Sequence, residues 1–129
     1  MYLVDTSVWI LHFSRGSSFD LAAECPPEER ILCLPVYQEI LQGVREERVF
    51  RELREILVAG RFVESPLSLD VYDVAVGLYR LARRQGLTLR SSVDCLIAAC
   101  ALRHDLAVLH HDRDFKVLAK VSALRERSV

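Results

Sequence analysis

The chain has 129 residues, with 17 Lys and Arg against 18 Asp and Glu for a formal net charge of −1, and it is 51% hydrophobic and 27% charged. This is the length of one ordinary domain and the composition of a folded one, which excludes a disordered segment. Near-neutral charge argues against a protein that wraps duplex nucleic acid by neutralising phosphates, though not against an enzyme whose bound metal supplies the positive charge.

No apolar run approaches the roughly 20 residues that cross a bilayer. Met1 leads directly into a core strand, with no basic n-region before it. The expectation is a cytoplasmic protein with no membrane partner.

Tyr2–Val4 is predicted as the first strand, closed by Asp5. A helix follows over Ser7–Phe13 and is broken by Ser14, Gly16, Ser17 and Ser18. Phe19–Glu24 reads as a further helical turn before Cys25-Pro26-Pro27, and Ile31–Leu34 as a buried strand. Pro35 suits the first turn of the next helix, where its missing N–H is not needed. That helix carries Val36, Ile40 and Val44 at four-residue intervals and ends near Gly43. Arg45–Ala59 is amphipathic, with Val49, Leu53, Ile56 and Leu57 on one face and Gly60 as its stop.

Arg61–Val63 reads as a third strand. Leu69–Gln85 is a long helix with Val71, Val74, Ala75, Leu78 and Ala82 as its core stripe and Gly86 after its end. Ser92–His104 is a mostly apolar helix, Leu106–Leu109 a fourth strand, and Phe115–Lys120 the last helix. The order β-α-α-β-α-α-β-α-α-β-α predicts an α/β fold: one domain over residues 1–129, with a central parallel sheet of about four or five short strands flanked by helices on both faces. The four cysteines, Cys25, Cys33, Cys95 and Cys100, form no C-x-x-C pair. A zinc ribbon or dithiol redox motif is therefore excluded, and Cys33, Cys95 and Cys100, inside apolar segments, read as reduced, buried thiols.

The acids carry the functional signal. Asp5 closes the first strand and could simply cap the following helix, as could Thr6 or Ser7. Glu39 lies at the edge of an apolar helix face, a position equally suited to a solvated side chain. Ser91 and Asp94 have the spacing of a capping box, but the long apolar stretch after Asp94 marks a central helix, so that the acid starts a buried element. Asp112 and Asp114 follow the fourth strand directly, and two acids exceed what one cap needs.

Together they say more. Ligands of open parallel sheets bind beyond the carboxyl ends of the strands, and Asp5, Glu39 and Asp112 all lie at or shortly after strand ends. Carboxylates ~4 Å apart repel by roughly 4 kcal/mol at an effective dielectric of about 20, so such a cluster needs protons or a cation. Hard oxygen ligands without His or Cys select Mg²⁺, with Mn²⁺ as the alternative, over zinc. Such an ion keeps waters and is shared with substrate phosphates, which is the chemistry of phosphodiester hydrolysis.

Val4-Asp5-Thr6-Ser7-Val8-Trp9, Glu39-x-x-x-Gly43, Arg90-Ser91-Ser92-Val93-Asp94-Cys95-Leu96-Ile97-Ala98-Ala99 and His111-Asp112-Arg113-Asp114-Phe115 resemble, in order and spacing, the signature of the PIN-domain VapC toxins. The resemblance implies a three-layer PIN-like fold and a Mg²⁺-dependent endoribonuclease acting on structured RNA such as tRNA or rRNA. It also implies an antitoxin partner and a homodimer. By position, Asp5, Glu39, Asp94 and Asp112 match the acidic quartet that holds metal, Asp114 matches a further acid, and Thr6 or Ser7 matches a hydroxyl that orients the first Asp.

His110 and His111 end a strand, so their side chains point to opposite faces and a structural role is expected. Trp9 and Phe13, four apart, read as core or dimer-contact residues. Arg80, Arg83 and Arg84 share a helix face, with Arg90 in the loop beyond; Arg84 and Arg90 are candidates for holding substrate phosphate, against the reading of a solvated face. A partner that blocks the site is expected to bring an Arg to the acids while covering apolar surface around Tyr37, Leu41 and Val49. A phospho-acceptor receiver domain fails because Asp5 stands alone and no Asp follows the third strand, and a D-x-D phosphatase fails at Ser7. A catalytically silent PIN-fold RNA-binding or interaction module is the remaining alternative.

Overall fold

The computed structural model describes residues 1–129. Strand β1 (Tyr2–Val4) leads into helices α1 (Thr6–Phe13) and α2 (Leu21–Glu24), then a 3₁₀ turn (Pro27–Glu29) and β2 (Arg30–Ile31). Helices α3 (Leu34–Gln42), α4 (Glu47–Val58), α5 (Leu69–Arg84) and α6 (Ser92–Arg103) follow, then β3 (Ala107–His110), α7 (Arg113–Val121) and β4 (Glu126–Ser128). All pairings are parallel, in the order β2-β1-β3-β4. Leu3, Val4, Val108 and Leu109 are fully buried although neighbours along a strand face opposite ways, so both faces of the sheet are covered by helices. No helix is long and apolar enough to cross a membrane.

Helix α6 is the most buried element. Cys95, Ile97 and Ala98–Ala101 are all buried, and the run of small residues lets it pack against α5, α7, α3 and β3 at once. All four cysteines are buried, free thiols. Just past α4 comes Gly60, where a Cβ would come within 3.0 Å of Leu32 Cδ1 and 3.1 Å of the Leu57 carbonyl.

The strands differ from expectation in three places. The strand expected at Ile31–Leu34 is shorter and earlier, because Leu34 already opens α3 ahead of Pro35. The strand expected at Arg61–Val63 is a single parallel bridge, Leu32 to Phe62. The chain turns away at Glu64, whose φ is 52°, and Arg103 and His104 bind the Glu64 carboxylate at 2.6 and 3.1 Å. Finally, β4 was not expected at all: Glu126-Arg127-Ser128 is polar and has no apolar alternation.

Polar anchors explain why β4 pairs. Arg127 bonds Glu24 through Nη2 at 2.5 Å and lies over the Tyr2 ring at 5.6 Å. Glu126 reaches His110, which is fully buried, at 2.6 Å from Nε2. His110 Nδ1 accepts the Asp112 N–H at 3.1 Å, so the ring is neutral with its proton on Nε2, donated to Glu126. Charged residues on an edge strand also oppose pairing with further chains.

This arrangement predicts the effect of two substitutions. Glu126→Ala leaves a buried N–H without a partner and should lower unfolding stability by about 1–3 kcal/mol, whereas Glu126→Gln keeps an acceptor and should lose less. Chemical denaturation of the three proteins measures this. A Glu126→Ala midpoint equal to that of the parent would contradict the placement of β4.

Candidate active site

The site lies where β1 and β3 end and the first turns of α1, α6 and α7 begin. Asp5 follows β1, and its N–H donates to the Leu109 carbonyl at 2.9 Å, which places it beside the end of β3. Its side chain caps α1: Oδ2 accepts the Ser7 N–H at 2.9 Å and the Ser7 hydroxyl at 2.5 Å. Ser7 Oγ in turn accepts the His111 N–H at 2.9 Å, so one hydroxyl ties the two strand ends together. The Thr6 hydroxyl instead donates to Glu39 Oε1 on α3 at 2.9 Å. Of the two hydroxyl residues predicted to support Asp5, Ser7 does so and Thr6 holds Glu39.

Asp94 stands in the first turn of α6, but the capping box is not closed. Ser91 Oγ accepts the Val93 N–H at 3.2 Å, while the N–H of Ser91 donates to Asp114 Oδ2 at 3.3 Å. Asp94 is thereby released from capping. Asp112 caps α7 through its Oδ1, 3.0 Å from the Asp114 N–H. Asp114 is fully buried and accepts the Arg90 N–H at 2.8 Å as well as that of Ser91, which pins the loop before α6 to the start of α7.

Carboxylate oxygens of Asp94, Asp112 and Asp114 lie within 4.8 Å of one another. Burial, followed by the charges of Asp5, Asp112 and Asp114, pushes the Asp94 carboxyl up to about 8. Burial also raises Asp5; the Ser7 hydrogen bonds oppose this, and the Glu39 charge adds to it. Asp5 thus sits between Glu39 and Asp94, and the five predicted acids form one electrostatic group. Three oxygens inside it, Asp5 Oδ1, Asp94 Oδ2 and Asp114 Oδ1, are buried without a hydrogen bond. Buried polar atoms are rarely left so. A hard cation with oxygen ligands suits such a group, and no His or Cys enters it to favour a softer metal.

The predicted arginines part company. Arg90 turns its guanidinium to the acids, with Nη2 3.2 Å from Asp112 Oδ1 and Nε 3.7 Å from Asp114 Oδ1. Arg84 is exposed in a basic patch with Tyr79, Arg80 and Arg83 and pairs with none of the acids. His110 and His111 are structural, His111 bonding the Val129 carbonyl at 2.8 Å. Trp9 belongs to the core, and Phe13 is exposed. Sequence reasoning did not see the Thr6–Glu39 bond or the Glu126–His110 support under Asp112. Nothing in the local pattern marks contacts made across 33 and 16 positions.

Residues 2–121 match the PIN domain family model. The chain is 40% identical, over 139 aligned positions covering 99% of it and 98% of the relative, to ribonuclease VapC11 of Mycobacterium tuberculosis and to VapC ribonuclease Mb1587 of Mycobacterium bovis. The chain belongs to the VapC branch of the PIN-domain family. Ribonuclease VapC51 of M. tuberculosis is 33% identical, covering 94% of this chain and 87% of its own. Among solved structures the PIN-domain chain superimposes on VapBC2 from Rickettsia felis bound to promoter DNA, with a TM-score of 0.76, 14% identity and coverage of 99% and 98%. The VapBC-5 toxin–antitoxin structure from M. tuberculosis gives a TM-score of 0.74 at 19% identity, covering 99% and 98%. These superpositions show a shared fold.

Because Asp94 moves from 3.8 to about 8 on folding, the folded chain binds more protons than the unfolded one across that window. Stability in the absence of metal should therefore fall as pH rises from 4 to 8. Asp94→Asn should remove much of that fall and be at least as stable as the parent at pH 8. Denaturant unfolding in EDTA at several pH values tests this; equal pH dependence in both proteins would remove Asp94 from the cluster.

Proposed function

We propose that this chain is a divalent-metal-dependent endoribonuclease that acts as the toxin of a toxin–antitoxin pair. Its substrate is structured RNA such as tRNA or rRNA, and Mg²⁺ is its metal, with Mn²⁺ able to replace it. Three buried carboxylate oxygens without a partner at one strand-end cluster carry this reading. Curated ribonucleases at 40% identity over nearly the whole chain support the activity.

Asp5, Glu39, Asp94 and Asp112 are the catalytic acids in this reading, and Asp114 joins them toward the metal. A divalent cation held there would lower the pKa of water and draw off charge from a phosphate oxygen. The chain's own residues do the rest. Ser7 fixes which way Asp5 faces, leaving its Oδ1 free for the ion. Glu39 has one oxygen held by Thr6 and the other free of protein hydrogen bonds, available to take a proton from the attacking water. Hydrolysis then forms a P–O bond to the oxygen of one water and breaks the P–O bond to the leaving ribose oxygen, which takes up a proton. The silent RNA-binding alternative is disfavoured because all five acids are retained and gathered together.

Toxin–antitoxin complexes among the structural neighbours support an antitoxin partner. Of the apolar residues expected to meet it, Val49 lines open surface and Tyr37 and Leu41 do not. Leu41 is buried, and half-buried Tyr37 packs edge-on against Phe62. An open groove of about 590 Å³ instead runs among Ile10, Phe13, Val44, Val49 and Ile56 and reaches Glu39. A partner segment seated there can bring an Arg to the acids, where a guanidinium fork pairs with carboxylates. Exposed Tyr72, Val76 and Tyr79 on α5 form a second apolar face that suits a second copy of the chain.

Incubation with mixed tRNA and rRNA in Mg²⁺ or Mn²⁺ should give discrete cleavage products, and EDTA should abolish them. Asp5→Asn and Asp94→Asn should each lower the rate roughly a thousandfold, as expected when several kcal/mol of metal-borne stabilisation is lost. Cleavage that survives EDTA contradicts the reading. For the partner, co-expression with the adjacent open reading frame should yield a complex that Ile56→Asp weakens, while RNA cleavage by the free chain is unchanged. A complex indifferent to Ile56→Asp places the partner elsewhere.

A further inference from the structure

The acid group divides into two sides that share Asp94. On one side are Asp5 and Glu39, and no Lys or Arg comes within ion-pair distance of either or of Asp94. Asp5 Oδ1 and Asp94 Oδ2 are buried without a hydrogen bond. On the other side stand Asp112 and Asp114, and here the chain already provides a cation. Arg90 Nη2 is 3.2 Å from Asp112 Oδ1, and its Nε is 3.7 Å from Asp114 Oδ1.

Arg90 is held from both ends. Its backbone N–H is bound by Asp114 Oδ2 at 2.8 Å, so the guanidinium starts from a fixed point beside the two acids. Arg113, the other cation close by, only reaches 4.0 Å from Asp114 Oδ1. A divalent ion among Asp94, Asp112 and Asp114, whose oxygens lie within 4.8 Å of one another, would sit next to a permanent positive charge. Like charges at such range repel strongly even in a mixed dielectric.

We propose that Arg90 takes the place of a second metal ion, so that this chain binds one divalent cation, on the Asp5–Asp94 side. The proposal rests on the metal-dependent reading given above. It makes Arg90 a positioning residue: it neutralises Asp112 and Asp114, keeps them at hand for the single ion, and excludes another. Lysine at this position retains the charge but not the fork that reaches both carboxylates. Glutamine removes the charge and leaves the backbone bond to Asp114 in place.

The test is the stoichiometry and affinity of Mn²⁺ binding to the full chain, by calorimetry and by the electron paramagnetic resonance signal of free Mn²⁺. Arg90 is substantially exposed, and thermal melting of each variant without metal confirms that it is folded. The parent and Arg90→Lys should bind one Mn²⁺ per chain. Arg90→Gln should bind two, the second abolished by Asp112→Asn in the Arg90→Gln background, and its first site should tighten roughly tenfold from loss of the nearby charge. Two ions in the parent overturn the inference and leave the metal-dependent reading standing. So does one ion in Arg90→Gln at an affinity within twofold of the parent. No Mn²⁺ bound by the parent overturns both.

Discussion

Asp5, Asp94 and Asp114 each keep one buried oxygen without a hydrogen bond, and they keep it within reach of one another's charge. Burial alone makes an ionised carboxylate costly, and like neighbours add to the cost. Without metal, burial first and the neighbouring acids second push the Asp94 carboxyl up to about 8, so that it holds its proton. Surrounding residues must therefore keep in place side chains that would otherwise move apart.

Helix starts meet much of that need. Asp5 caps α1, Ser91 caps α6 one turn ahead of Asp94, and Asp112 caps α7. The three N-termini bring their partial positive charge and free N–H groups to the same place. Parallel strands β1 and β3 make this convergence geometric, since both run into their helices at the same edge of the sheet, the one formed by the strands' carboxyl ends. The capping roles read from the sequence for Asp5 and Asp112 are thus real, and they coexist with membership of the cluster. One oxygen caps while another faces the group.

A second ring of contacts fixes the acids from behind. Ser7 joins Asp5 to the His111 backbone, Thr6 joins α1 to Glu39 on α3, and Glu126 holds His110 beneath Asp112. The last of these comes from an edge strand near the C-terminus, so the order of Asp112 depends on a segment far from it in the chain. Arg90 works at the front of the same acids, as a charge supplied from within.

Much was legible in the sequence because it was local. The strand into Asp5, the apolar run after Asp94 and the paired acids after β3 each lie within a few residues, where periodicity and capping chemistry operate. Those signals were enough for the fold class, for most of the helices and for marking the five acids as candidates. They did not reach β4, whose polar residues pair with β3 only because His110 offers Glu126 a buried partner, nor the lone bridge at Phe62 where a strand was expected. Likewise Thr6 and Ser7 were equivalent as adjacent hydroxyls, and only the approach of α3 on one side and β3 on the other gave them different tasks. Whether Arg90 faces solvent, substrate or the acids is a question about a loop pinned across the fold by Asp114. Residue type and spacing determine which groups can act; their partners are chosen by packing between distant segments, which no local pattern encodes.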